Sequence, residues 1–285
     1  MASDTTTSGK TTYRTVDTSG RRRYSSDQSA IGRWWRKNGS PITALVAFLA
    51  IWQTYVNIAQ PPEQLLPGPI AVGRELIRMQ ELGLLLPAFT ASMHAYVVGT
   101  GMAVVVGLVL SISIGLSKLA QVVTMPYFWA LFSMPRVALV PLFILWFGLG
   151  FQLTVAIVFA SAVVPLVLQV LEGMRTAEGS LLKMSRLFCA SRYETLFKVV
   201  LPASLPYMAN GMRQCMSRGF VGLVVVEMLV GQRGLGVEAI RASLNFNTAR
   251  VMAMIFVLIA VAVVLIVIAR SIENSVSRWR ETVAI

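Results

Sequence analysis

Residues 251–269 run for 19 positions without a charge, bracketed by Arg250 and Arg270. At ~1.5 Å of rise per residue, a helix of that length nearly crosses a hydrocarbon core of roughly 30 Å. One such run fits a buried helix of a soluble protein. Comparable runs recur at about 41–59, 87–116, 122–147, 152–171 and 208–230, and a single soluble chain has no use for six. The composition agrees, with 13% charged residues against about a quarter in soluble domains. The chain reads as an all-α membrane protein with six transmembrane helices.

Two of these runs are unusual. The one at 87–116 exceeds the ~20 residues a span needs, so it tilts or protrudes. The one at 122–147 contains Pro126, Pro135 and Pro141, each of which removes a backbone donor and kinks or breaks a helix. Broken backbone survives at membrane depth only where protein or a water-filled cavity surrounds it. That places the third span inside the bundle, near a translocation path.

The net charge of +12 does not describe a nucleic-acid surface, because the basic residues lie between and outside the apolar runs with no aromatic stripe among them. They report topology instead. With the N-terminus inside, the cytoplasmic segments hold seventeen Lys and Arg: eight before residue 41, Lys118, five between 172 and 206, and Arg270, Arg278 and Arg280. The opposite side holds five, namely Arg74, Arg78, Arg233, Arg241 and Arg250. Positive residues stay on the cytoplasmic side, so both termini of this multi-pass membrane protein face the cytoplasm.

Residues 1–40 differ in kind. Thirteen of the first 29 are Ser or Thr, and the segment is basic. It reads as a cytoplasmic tail that lies on anionic membrane lipid, with Trp34 and Trp35 beside Arg36 and Lys37 as an interfacial anchor. It is too long and polar for a signal-peptide n-region. Residues 41–285 form the membrane domain. Within it, 60–86 is an external linker, where Pro67-Gly68-Pro69 makes a turn and an amphipathic helix starts near Ile70. Its apolar residues Ile70, Val72, Leu76, Ile77 and Leu84 suit a membrane surface.

No catalytic or metal constellation stands out. Cys189 and Cys215 have no CxxC spacing, His94 is the single histidine, and GxxxxGK[ST] is absent. No metal site, no cofactor and no enzymatic activity are expected, and ATP, if used, is bound by a partner subunit.

The longest internal cytoplasmic loop, 172–206, is amphipathic rather than low-complexity. Leu187, Ala190, Tyr193, Leu196 and Phe197 recur at spacings of three and four, which fits two short helices outside the bilayer. Either they form a hairpin on the membrane surface or they fill a groove on a soluble partner. The stretch 183–206 resembles the coupling loop of bacterial ABC importer permeases, whose pattern is Glu-Ala-Ala, three residues, Gly, nine residues, Ile-x-Leu-Pro. Aligned on Leu201-Pro202, the Ile position is Val199, the Gly position is Cys189, and Glu-Ala-Ala falls on Lys183-Met184-Ser185. Ala190, Ser191 and Arg192 follow the pattern, whereas Lys183 and Cys189 depart from it.

The likeness continues along the chain. Leu66-Pro67-Gly68-Pro69, the stretch from Met134-Pro135-Arg136 through Pro141-Leu142 to Leu145-Trp146-Phe147-Gly148, and Val226-Glu227-Met228-Leu229 followed by Gly234-Leu235-Gly236 resemble the permeases of nitrate, sulfonate and taurine importers. The resemblance implies a six-helix permease of the type I ABC importer kind. It implies an inner-membrane (cell-membrane) location, ABC ATPase subunits docked at the 183–202 loop, an external substrate-binding protein and a permease homodimer; no nucleic-acid partner is expected from the charge placement. The alternative is a secondary transporter or channel working without an ATPase.

Three ionisable residues lie near membrane depth: Arg136, Arg218 and Glu227. Facing lipid, each costs ~2.5–3.5 kcal/mol on an insertion scale, so they face protein or water. Arg218 and Glu227, nine residues apart, point to opposite sides of a helix and do not pair. One reading puts all three on the path of a small anionic solute, because guanidinium matches sulfonate, carboxylate or nitrate oxygens. The other has the arginines bonding broken-helix carbonyls and Glu227 fixing the external glycine loop.

Overall fold

A computed structural model describes residues 30–176, 185 and 187–277, with side chains for 43–176, 185, 187–191 and 193–274. All regular structure among the described residues is helical. The first helix, α1 (Ala30–Ala59), is apolar from Thr43 onward. Most of it belongs to a unit ending at Ile51, and residues 52–285 form the second unit.

In the second unit the chain continues through α2 (Pro69–Glu81), α3 (Leu85–Gly115), α4 (Lys118–Ser133) and, after a 3₁₀ turn at Arg136–Leu139, α5 (Val140–Phe147). Next come α6 (Phe151–Arg175), α7 (Leu201–Val230), α8 (Leu235–Leu244) and α9 (Thr248–Ser277). Helices α3, α6 and α9 each have the length and apolarity to cross a membrane. Two bent pairs bring the total to as many as five, and the described part of α1 adds a shorter apolar helix.

Helix α6 is the centre of the bundle. It buries both a face toward α3 and a face toward α7, with Val158, Leu166, Val167, Val170 and Leu171 fully enclosed. Close approach explains the small residues opposite it. A Cβ on Gly222 of α7 falls 2.4 Å from Ser161 Oγ, and one on Gly99 of α3 falls 2.7 Å from Val158. In a bilayer, where apolar burial gives no advantage over lipid, such backbone proximity is what brings helices together.

The proline-rich third span is broken as expected but lies elsewhere in the bundle. Pro126 sits within α4 without interrupting it, and Pro141 occupies the first turn of α5, where its missing donor costs nothing. Pro135 makes the break. It holds Met134 extended (ψ 129°), as the residue before a proline prefers, and the two halves diverge by 92°. Of α4 and α5 only Met125 and Val140 are buried, so this span flanks the chain's own bundle instead of occupying its middle. Backbone breaks do mark where helices part, but the most continuously buried span is the one without a break.

The linker helix α2 also differs from a membrane-surface strap. Val72 and Met79 are buried, Met79 against Leu235, Ala239 and Met254, and Glu75 joins them in the interior. Arg250 at the start of α9 reaches Glu75 Oε1 through Nε and Nη2, both at 2.7 Å. Ile70 and Ile77 remain exposed.

Candidate functional site

Three constellations emerge. The first surrounds Glu227, which is 2% exposed near the end of α7. Ser92 of α3 donates its hydroxyl to Glu227 Oε1 at 2.6 Å, and the Gly236 amide donates to Oε2 at 2.8 Å. The Leu235 amide donates to Ser92 Oγ at 2.8 Å. A carboxylate and a hydroxyl thus satisfy the first free amides of α8, where the positive end of the helix dipole stands. The glycines serve this contact: a Cβ on Gly234 (φ +139°) lands 2.3 Å from the carboxylate, and one on Gly236 lands 2.8 Å from Glu227 Cβ. Both carboxylate oxygens of Glu227 are engaged in holding α8.

The second constellation joins Arg136 and Arg218. Arg136 follows the Pro135 break, and its Nη1 donates to the Phe132 carbonyl at 3.2 Å. Each guanidinium carbon lies 5.7 Å from the centroid of the Phe132 ring. The ring's electron-rich π-system attracts both cations and brings them into one neighbourhood. Both line a cavity of about 140 Å³ with Val137, Val140, Ile157, Ser161, Val221, Gly222 and Val225. Among the described residues, no carboxylate forms an ion pair with either arginine. Arg218 and Glu227 do lie apart, as their spacing requires. Arg213, one turn and more before Arg218, instead pairs with Glu273 of α9 at 3.3 Å. It also donates to Asn210, whose amide in turn bonds Gln169 of α6. Glu273 gave no signal in the sequence because its partner is sixty residues away on another helix.

The third is the polar connection between α6 and α7. Lys183 and Met184 lie outside the described residues, as does the Arg192 side chain. Ser185 is buried, and its carbonyl accepts from the Ala190 amide at 3.0 Å. Cys189 between them has φ +52°. This is the reverse turn that ends helices, in which the residue in Cys189's place adopts a left-handed conformation that glycine reaches without penalty. A glycine at this position of the family pattern therefore has a backbone reason, and here cysteine fills it.

The chain then restarts at once. Ser191 Oγ accepts from the Glu194 amide (3.2 Å) while Glu194 Oε2 accepts from the Ser191 amide (3.0 Å), a reciprocal capping box. The Ser191 amide first, then the Lys198 ammonium at 3.1 Å, hold the Glu194 carboxyl well below its usual range, down to about 2. The new helix runs from Arg192–Thr195 through a π turn at Leu196–Val200 directly into α7. The π turn has a cause: Pro202 lacks an amide hydrogen, and the Leu201 amide reaches back five residues to Leu196. Hence Val199, Leu201 and Pro202 belong to a helix and are half-buried, and Leu201 packs on the cluster around Leu166 and Val170. The outward-facing residues are Leu187 (82% exposed), Phe188 (81%), Tyr193 (66%) and Phe197 (53%), beside exposed Cys189 and Ser191. Phe188 was not singled out by the sequence pattern, since it lies off the three–four spacing.

Residues 103–281 match the family described as binding-protein-dependent transport system inner membrane component. Among curated relatives, the chain is 28% identical to SsuC of Bacillus subtilis, which carries the name of a putative aliphatic sulfonates transport permease protein, over 82% of this chain and 85% of the relative. It is 25% identical to the taurine transport system permease protein TauC of Escherichia coli, over 84% and 88%. Among solved structures it is similar to a chain of the MetNI methionine ABC transporter in inward-facing conformation, with TM-score 0.59 and 19% identity, covering 69% of this chain and 98% of that one.

Proposed function

The chain belongs to the family of binding-protein-dependent transport system inner membrane components, and from that premise we propose that it is the permease subunit of an ATP-driven importer. It lies in the inner membrane, and its fold is that of a transport permease. Two copies form the pore, each with six transmembrane helices and both termini in the cytoplasm. ABC ATPase subunits dock on the connection between α6 and α7. An external binding protein delivers substrate to the side bearing α2 and α8. ATP stays on the partner subunit, and this chain supplies no cofactor. The substrate is a small anionic solute, in keeping with relatives named for sulfonates and taurine.

The observation that carries this reading is the exposed apolar surface of the 187–197 connection. Leu187, Phe188, Tyr193 and Phe197 stand on a polar connection held in shape by the Cys189 turn and the Ser191–Glu194 box. Exposed large apolar side chains on a rigid polar connection mark a protein contact. Because the helix runs unbroken from Tyr193 to Val230, a push on that surface moves α7 as one rod. Rigid-body motion of this kind couples an ATPase to a pore. Residues 183–185, 189–192, 199, 201 and 202 serve this coupling in two ways. Lys183, Met184, Cys189, Ala190, Ser191 and Arg192 shape or present the contact, and Ser185, Val199, Leu201 and Pro202 transmit it.

The test replaces Leu187 or Phe188 by Asp. Each variant is expected to insert normally and to lose most of its co-purification with the ATPase, on the order of 10-fold or more for a central apolar anchor. Undiminished co-purification and uptake in both variants would remove the contact from the 187–197 surface.

A further inference from the structure

Two buried polar atoms on different elements lack a partner among the described residues, beside the same cavity. Within those residues Arg136 Nη2 is enclosed without a hydrogen-bond acceptor, and Ser161 Oγ on α6 is enclosed without a partner. Leaving such groups unpaired is costly, more so when charged, because their desolvation is not repaid. Both line the 140 Å³ cavity, together with Arg218. The hydroxyl of Ser161, itself 2% exposed, faces Gly222, where any Cβ would collide with it. Gly222 therefore does more than let α6 and α7 approach: it leaves the hydroxyl an opening onto the cavity.

We propose that Arg136, Arg218 and Ser161 form an oxyanion-binding station. Three donors come from three elements: the turn after the broken α4, helix α7 and helix α6. They match an anion that carries three oxygens on one centre, such as a sulfonate or nitrate. Two guanidiniums held on one phenyl ring, with no carboxylate paired to either among the described residues, leave a net positive charge, and an anion neutralises it. Phe132 holds both cations against one ring, each 5.7 Å from its centroid. The volume is close to the ~150 Å³ of a cavity that takes benzene, so the anionic head fits inside. Arg218 and Val221 are exposed at the rim, and a larger organic tail extends past them. The station deepens the importer reading, on which its place in the transport path rests, and it adds Ser161 as a donor and Phe132 as a positioning residue.

A thiol reporter tests it in the full chain assembled with its ATPase in lipid nanodiscs. Ser161→Cys is reacted with an anionic methanethiosulfonate sulfonate and with a neutral methanethiosulfonate of similar size. Modification is counted by mass spectrometry of the peptides, which separates the introduced thiol from Cys189 and Cys215. Val221→Cys, at the exposed rim, provides the same readout should the buried substitution impair assembly. The anionic reagent is expected to react faster than the neutral one. Adding Arg136→Gln or Arg218→Gln should slow it about 10-fold while leaving the neutral rate unchanged, and Phe132→Ala should act the same way. Methanesulfonate or nitrate should protect the thiol, and uncharged dimethyl sulfone should not. An anionic rate indifferent to both arginines, equal protection by dimethyl sulfone, or no reaction at either position would each overturn the station. ATP-dependent uptake is scored separately. Uptake without anion protection rejects the station and keeps the importer; protection without ATP-dependent uptake does the reverse.

Discussion

At the scale of single residues, glycines and one cysteine occupy positions where backbone decides the outcome. Gly234 combines φ +139° with a Cβ position 2.3 Å from the Glu227 carboxylate. Gly234→Ala should lower stability by about 2–4 kcal/mol, since both strain and collision apply. Gly73→Ala is the matching control: nothing lies within 4 Å of its Cβ, and in mid-helix the change should add up to ~1 kcal/mol. Thermal unfolding in detergent micelles orders the two. Cys189 offers the opposite sign. Its φ of +52° costs an L-residue ~1–2 kcal/mol, so Cys189→Gly should stabilise the connection by about 1 kcal/mol, seen as slower amide exchange at Ala190. The position was legible in the sequence as the one where the family pattern has glycine. The turn that demands it was not, because it rests on a bond from Ala190 back to Ser185.

At the scale of elements, the Ser191–Glu194 box starts the helix that becomes α7. Ser191→Ala should cost about 1 kcal/mol at this end, without changing membrane insertion, and show as faster exchange at Glu194 and Thr195. The carboxyl adds a pH dependence. Its folded value of about 2 lies below that of an ordinary glutamate, so its contribution is fully present above the ordinary value of about 4.3. It fades as pH falls from there toward 2. Exchange protection of the Ser191 amide should weaken across that window in the parent chain and show no such step in Glu194→Gln. Sequence reading placed α3 and α6 within about four residues because their apolar runs, 87–116 and 152–171, are long and bounded. It missed the continuity of 193–230 because Pro202 and Pro206 look like terminators. Local physics explains the first of these: Pro202 stands just after a π turn that absorbs its missing donor, while Pro206 lies inside α7 without interrupting it.

At the scale of the molecule, the chain is built around α6, with α3 and α7 on either side and the broken α4–α5 span left largely uncovered. Trp129, Leu142, Leu145 and Trp146 on that span are exposed, a surface suited to lipid or to the second copy in a homodimer. The path candidates also divide at this scale. Arg136 and Arg218 meet at one cavity although 82 residues apart in sequence, whereas Glu227 is committed to the amides of α8. Sequence spacing separated Arg218 from Glu227 correctly. It had no means of bringing Arg136 to Arg218, because that encounter depends on the 92° turn after Ser133. We propose above that transport through this chain is driven by ATP on a separate subunit. The direct measurement is uptake of a labelled sulfonate, taurine or nitrate into proteoliposomes holding the permease, its ATPase and its binding protein. Accumulation should require ATP and the ATPase together, and should vanish when either is withheld. Accumulation that continues in liposomes lacking the ATPase would rule out ATP-driven import by this chain.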